Sequence, residues 1–177
     1  YSYKSLERAV DDLASSKVDV LVTAPINKEA ITKSGFKFPG HTEYLAHMAN
    51  AEDVLMFLVA ENLRIGIVTG HIALKDVASS LSAKNIKSKL ELMHESLTRD
   101  FGCPSPRIAV LGLNPHAGDN GLMGDEEGNI ISPVIKDANA AGMKVFGPFA
   151  ADGFFGSGTH KDFDGVLAMY HDQGLAP

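Results

Sequence analysis

Leu6, Ala9, Val10 and Leu13 recur at helical spacing with Glu7, Arg8, Asp11 and Asp12 between them, which predicts an amphipathic helix. Val18 to Val22 is a short β-branched run closed by Thr23-Ala24-Pro25, and it predicts a buried strand. Asn27 is placed to cap a short helix reaching Lys33, with Gly35 ending it. Phe38-Pro39-Gly40-His41-Thr42 is turn chemistry, and Thr42 is the expected cap of a helix through Ala49. The apolar runs 54–60 and 65–69, joined by Glu61-Asn62-Leu63-Arg64, predict a hairpin whose second strand continues as a central strand. Residues 75–81 and 85–100 read as helices, the second with Ile86, Leu90, Met93 and Leu97 on one stripe. Strands are expected at 108–113, 143–146 and 166–170, and a helix at 133–141 with Pro133 at its favoured first position. Residues 114–129 form a long loop rich in Gly, Asp and Asn, and 149–164 read as irregular.

Strand and helix patterns alternate along the chain. That predicts an α/β fold with a mostly parallel sheet, made mixed by the antiparallel pair near residues 54–69. No repeat and no linker divides it, so residues 1–177 are read as a single α/β fragment. The chain has no initiator Met and stops just after an apolar run, so it is expected to be the middle of a longer protein.

Composition narrows the function classes. The chain is 45% hydrophobic and 21% charged, as in ordinary globular proteins, which excludes a disordered class. A net charge of −6 argues against a nucleic-acid or anionic-membrane partner. Cys103 is the only cysteine, so no intrachain disulfide is possible. No apolar run is long enough to cross a bilayer and no signal peptide is visible, so a cytoplasmic location is expected.

Of the 7 histidines, His71, His116 and His171 each follow a predicted strand. In open α/β sheets ligands bind outside the carboxyl ends of the strands, so these are candidate metal ligands. Ordinary polar loop histidines at strand ends would give the same pattern. His41 stands at a helix start, where free N–H groups favour an anion; a plain cap at Thr42 explains the segment equally well. Asp152 could orient a substrate amine or be a loop carboxylate, and Asp172 could support His171 or be solvated. Asn114 and Asp119 flank His116 in a loop too Gly-rich for an ordinary connection. His47 and His94 are expected on helix surfaces and His160 in solvent. GxGxxG after the first strand, a Walker lysine motif and a GxSxG elbow are absent, and Cys103 has no evident base beside it. Three imidazoles with an open position suit Zn, with Co, Mn or Mg as alternatives.

Five segments together carry a resemblance: Gly40-His41-Thr42-Glu43, Thr69-Gly70-His71, Leu113-Asn114-Pro115-His116-Ala117-Gly118, Ala151-Asp152-Gly153-Phe154-Phe155 and Ala168-Met169-Tyr170-His171-Asp172-Gln173-Gly174. Their order and spacing resemble the 4-hydroxythreonine-4-phosphate dehydrogenase family of pyridoxal phosphate biosynthesis. Gly70 stands where the family more often has Thr, and Asp119 where Glu is frequent. The resemblance implies a three-layer α/β/α fold similar to the isocitrate and isopropylmalate dehydrogenases, with two subdomains, and a homodimer with sites shared across the interface. It implies one divalent metal held by His71, His116 and His171, with His171 reaching into the second subunit's site. It further implies substrate contacts from His41 and Thr42, an active-site aspartate at Asp152, and NAD or NADP bound by residues beyond Pro177. The implied reaction is oxidation and decarboxylation of 4-phosphohydroxy-L-threonine. A sister dehydrogenase of erythronate or threonate 4-phosphate and a metal-dependent hydrolase remain as alternatives, and the fragment by itself is expected to be inactive.

Overall fold

The computed structural model of the chain describes residues 2–33, 35–38 and 40–177. Pro39, in the turn expected before His41, lies outside the described residues. Two compact units divide the chain, Tyr1–Val54 and Leu55–Pro177.

The first unit carries helices α1 (Ser2–Ala14), α2 (Lys28–Lys33) and α3 (His41–Met48). Their apolar faces meet in a small core of Leu6, Val10, Ile31, Phe36 and Tyr44. Phe36 lies 5.4 Å from both Tyr3 and Tyr44, ring centre to ring centre, which gives this core an aromatic cluster. Asn27 behaves as expected, its Oδ1 accepting the Ala30 N–H at 3.0 Å at the start of α2.

Two expectations fail here. Val18 to Val22 form no strand, and Val18, Val20 and Val22 are 42%, 72% and 87% exposed. A β-branched run favours a strand, but a strand exists only where a neighbour completes its hydrogen bonds. None does so among the described residues. Thr42 is not the cap of α3: the helix begins at His41, Gly40 takes the cap position, and no side chain caps it.

The second unit is a five-stranded sheet in the order β1-β2-β5-β3-β4. The strands are β1 (Phe57–Ala60), β2 (Leu63–Ile67), β3 (Arg107–Leu111), β4 (Lys144–Phe149) and β5 (Gly165–Ala168). β1 and β2 form the expected antiparallel hairpin, and β2, β5, β3 and β4 run parallel. β2, paired on both sides, is an internal strand as expected, and β5 is the middle strand of the five.

Side chains alternate across the sheet, as the pleat requires. Val68, Ile108, Val110, Leu167 and Met169 enter one core, and Ile65, Ile67, Ala109, Leu111, Val166 and Ala168 the other. The first face is covered by α5 (Ala83–Arg99) and α6 (Ser132–Ala140), the helix α5 contributing the predicted stripe of Ile86, Leu90, Met93 and Leu97. Burial of each of these is worth about 1.5–3 kcal/mol. Ser82 starts α5 with a capping box, its Oγ accepting from Asn85 N at 3.2 Å while Asn85 Oδ1 accepts from Ser82 N at 2.9 Å.

Helices α7 (Ala151–Gly156) and α8 (His171–Leu175) cover the second face. A Cβ at Gly174 would stand 2.9 Å from Ile67 Cγ2, so a glycine lets α8 lie directly on β2. A short helix α4 (Val77–Ser80) lies between β2 and α5. The segment 149–164, expected to be irregular, contains α7 and a 3₁₀ turn at Thr159–Asp162. Its glycines weaken the helical signal, but Phe154 is buried and stacks on Phe149 at 5.0 Å, so packing holds the turns.

Candidate active site at the carboxyl edge of the sheet

The four parallel strands end at one edge, and each is followed within a few residues by a predicted site residue. β2 leads to His71, β5 to His171, β3 to His116 and β4 to Asp152. Sheet order therefore dictates the order of the side chains along the edge: His71, His171, His116, Asp152. The first two and the last two in that order each share a cavity. His71 and His171 line a cavity of about 210 Å³ with Gly70, Ile72, Tyr170 and Asp172. His116 and Asp152 line one of about 350 Å³ with Asn114, Pro115, Tyr170 and Gln173. Tyr170 borders both.

The imidazoles of His71 and His171 lie 5.1 Å apart, centre to centre, tilted by 46°. His171 Nδ1 is 2.8 Å from Asp172 Oδ1. Engaging Nδ1 fixes the ring and leaves Nε2 as the nitrogen that can bind a cation. His171 is half-buried, whereas His71, His116 and Asp152 are exposed at the rim. Among the described residues of a single chain, no three His, Cys, Asp or Glu side chains form a complete metal cage. His71 and His171 line one of the two cavities and His116 the other.

Two loops hold these histidines. After β5, Met169 N donates to Gln173 Oε1 and Gln173 Nε2 donates to Gly112 O, both at 2.7 Å, so Gln173 ties the turn before His171 to the end of β3. After β3, residues 116–120 all have positive φ, between 43° and 82°. Four of them, His116, Ala117, Asp119 and Asn120, are not glycine. Each such residue costs about 1–2 kcal/mol, so the surroundings must enforce the left-handed turn. Asn114 supplies part of that enforcement: its N–H reaches Glu127 Oε1 at 2.7 Å, and its Nδ2 reaches Glu126 Oε2 at 2.7 Å and Glu127 Oε2 at 3.0 Å. Glu127 is only 5% exposed. The sequence assigns no role to Glu127, one of an acidic pair in a loop rich in Gly and Asp, or to Gln173, which stands within the Ala168–Gly174 segment and falls in α8.

His41 and Thr42 belong to the first unit. His41 opens α3 and lines a cavity of about 290 Å³ with Ser2, Ser5, Thr23 and Pro25, while Thr42 is exposed in the first turn. His160 departs from its expected solvation: it is half-buried 5.7 Å from Phe155, and its Nδ1 is enclosed without a hydrogen-bond partner. It borders a cavity of about 610 Å³ at the opposite edge of the sheet, beside Arg64 and Lys161. None of the strand-end histidines reaches it.

A mixed, mostly parallel α/β sheet with imidazoles and a carboxylate at its carboxyl edge is the architecture in which open α/β folds place their ligand sites. The comparisons with known proteins are more specific. The chain belongs to the family described as pyridoxal phosphate biosynthetic protein PdxA, whose model matches residues 1–177. It is 50% identical over 174 residues to the 4-hydroxythreonine-4-phosphate dehydrogenase of Bacteroides thetaiotaomicron, covering 98% of this chain and 48% of that protein. A Bradyrhizobium diazoefficiens relative, provisionally named a D-threonate 4-phosphate dehydrogenase, is 40% identical over 177 residues, covering 100% of this chain and 51% of that protein. The crystal structure of 4-hydroxythreonine-4-phosphate dehydrogenase from Klebsiella pneumoniae superposes with a TM-score of 0.91 at 40% identity, covering 99% of this chain and 53% of that one. The chain thus spans about half the length of the curated relatives it matches. Among the described residues, no helix is long and apolar enough to cross a membrane.

Proposed function

We propose that the protein containing this chain oxidises 4-phosphohydroxy-L-threonine with NAD or NADP and a divalent metal. The oxidised β-keto acid then loses CO2 to give 3-amino-2-oxopropyl phosphate, in pyridoxine 5'-phosphate biosynthesis. The observation that carries the reading is the delivery of His71, His171, His116 and Asp152 by four adjacent strand ends. Membership of the family, with relatives named for this activity, supports the substrate class.

The donor chemistry present fits a divalent cation: three imidazoles stand at adjacent strand ends, and Asp172 engages Nδ1 of His171, leaving its Nε2 open. His71, His116 and His171 would hold it, the set being completed between two chains of a homodimer. When bound, the cation supplies Lewis-acid polarisation of the substrate hydroxyl, and the nicotinamide supplies the hydride acceptor. The chain's own residues do the rest. Asp172 keeps the His171 ring in one orientation. Asp152, which lines a cavity with His116, would orient the substrate amine. His41 and Thr42 bind and align the substrate, and alignment alone is worth several kcal/mol in favourable cases. The two-subdomain architecture of the isocitrate and isopropylmalate dehydrogenases, and a cytoplasmic setting, belong to the same proposal.

The test is turnover by the full-length, metal-loaded protein. Reduction of NAD or NADP on 4-phosphohydroxy-L-threonine is expected, and its absence with both coenzymes refutes the assignment. The D-threonate relative gives a second reading specific weight. A higher kcat/KM on D-threonate 4-phosphate or D-erythronate 4-phosphate than on the amino substrate would select it.

A further inference from the structure

We propose that Glu127 is a positioning residue for His116, acting by clamping the loop on both sides of that imidazole; the inference rests on the reading of His116 as a metal ligand. Glu127 opens a π-helical turn, Glu127–Ile131, immediately before α6. Such turns shift side chains out of the ordinary helical register and recur at functional sites. The shift here aims a carboxylate inward, where it is 5% exposed. A buried carboxylate needs N–H partners, and Glu127 takes two from Asn114, the backbone N–H at 2.7 Å and Nδ2 at 3.0 Å. Asn114 lies two residues before His116.

The other flank is held by shape. Gly118, two residues after His116, is buried at φ +82° inside the left-handed turn. A Cβ there would sit 2.6 Å from Glu127 Oε2 and 3.0 Å from Gly124 O. The glycine backbone therefore packs directly against the carboxylate. One side chain thus meets the chain two residues before and two residues after His116, the first residue of the strained segment. His116 makes no contact with Glu127 among the described interactions, so Glu127 acts through the loop and not on a ligand. This is the outer support that orients metal-ligating imidazoles elsewhere, built here from backbone rather than from a bond to the ring.

The test uses the full-length protein and Zn²⁺ competed against a chelator, with Co²⁺ as a spectroscopic reporter. Glu127→Gln keeps the size of the side chain but puts an NH2 where an acceptor is needed. It should weaken Zn²⁺ binding about 10–100-fold and alter the visible Co²⁺ bands. In a His116→Ala background the same substitution should have little further effect on affinity, because the group it positions is gone. An equal loss in both backgrounds, or no loss in either, overturns the proposal. Should Glu127→Gln fail to fold, Asn114→Ala, which removes the Nδ2 contacts alone, should show a smaller loss with the same dependence on His116. Unchanged Zn²⁺ affinity in His116→Ala itself would instead refute the ligand reading beneath it, and the two failures are thereby told apart.

Discussion

Replacing Gln173 by Met should destabilise the second unit by about 2–4 kcal/mol. The side chains match in length and volume, so the change removes hydrogen bonds and little else. Met169 is fully buried, and its N–H donates to Gln173 Oε1 at 2.7 Å. Orphaning a buried N–H costs about 1–3 kcal/mol. Gly112 O loses the Gln173 Nε2 donor, also at 2.7 Å, for about 0.5–1.5 kcal/mol more. A urea slope of about 2 kcal/mol/M, the middle of the usual range, turns this into a midpoint lowered by about 1–2 M. Equilibrium urea unfolding, followed by circular dichroism, reads it directly. Gln173→Glu should recover part of the loss, since a carboxylate still accepts from Met169 N but repels Gly112 O. A Gln173→Met midpoint within about 0.2 M of the parent would refute the claim that Gln173 ties β5 to β3.

Leu97→Ala, at a position 0% exposed beneath the sheet, should cost about 2–5 kcal/mol in the same assay. Ser82→Ala removes the capping box of α5 and should cost about 1 kcal/mol, also read as a midpoint shift. Burial holds the Tyr44 phenol above its ordinary range, with Tyr3, Glu7 and Asp11 acting in the same direction. The stability this contributes to the first unit is full below about pH 10 and is lost as pH rises through the folded-state value. Denaturation curves at about pH 9 and pH 11 should therefore differ less in Tyr44→Phe than in the parent.

The elements legible in the sequence are those whose signal is local and whose partners lie in the chain. The stripe Ile86, Leu90, Met93, Leu97 and the runs at β2, β3 and β5 each carry their own periodicity, and each packs as its pattern predicts. Val18 to Val22 carry an equally clear strand pattern and form none, because hydrogen-bonding neighbours are not encoded in the run itself. Thr42 has capping chemistry, but Gly40 occupies the position where the helix starts. α7 was hidden by Gly153 and Gly156, whose low helix propensity is outweighed by the burial of Phe154. Strand-end placement of His71, His116, His171 and Asp152 was legible, because each follows a strand with its own apolar pattern. Glu127 and Gln173 were not, since only the fold shows which of many loop polar groups are enclosed.

The central claim is that His71, His116 and His171 bind one divalent cation. X-ray absorption at the zinc edge of the full-length, Zn²⁺-loaded protein addresses it most directly. Three imidazole nitrogens at about 2.0–2.1 Å around each zinc are predicted, falling to two in His116→Ala. A sulfur-containing or purely oxygen shell, or a shell unchanged by removing any of these histidines, would contradict it.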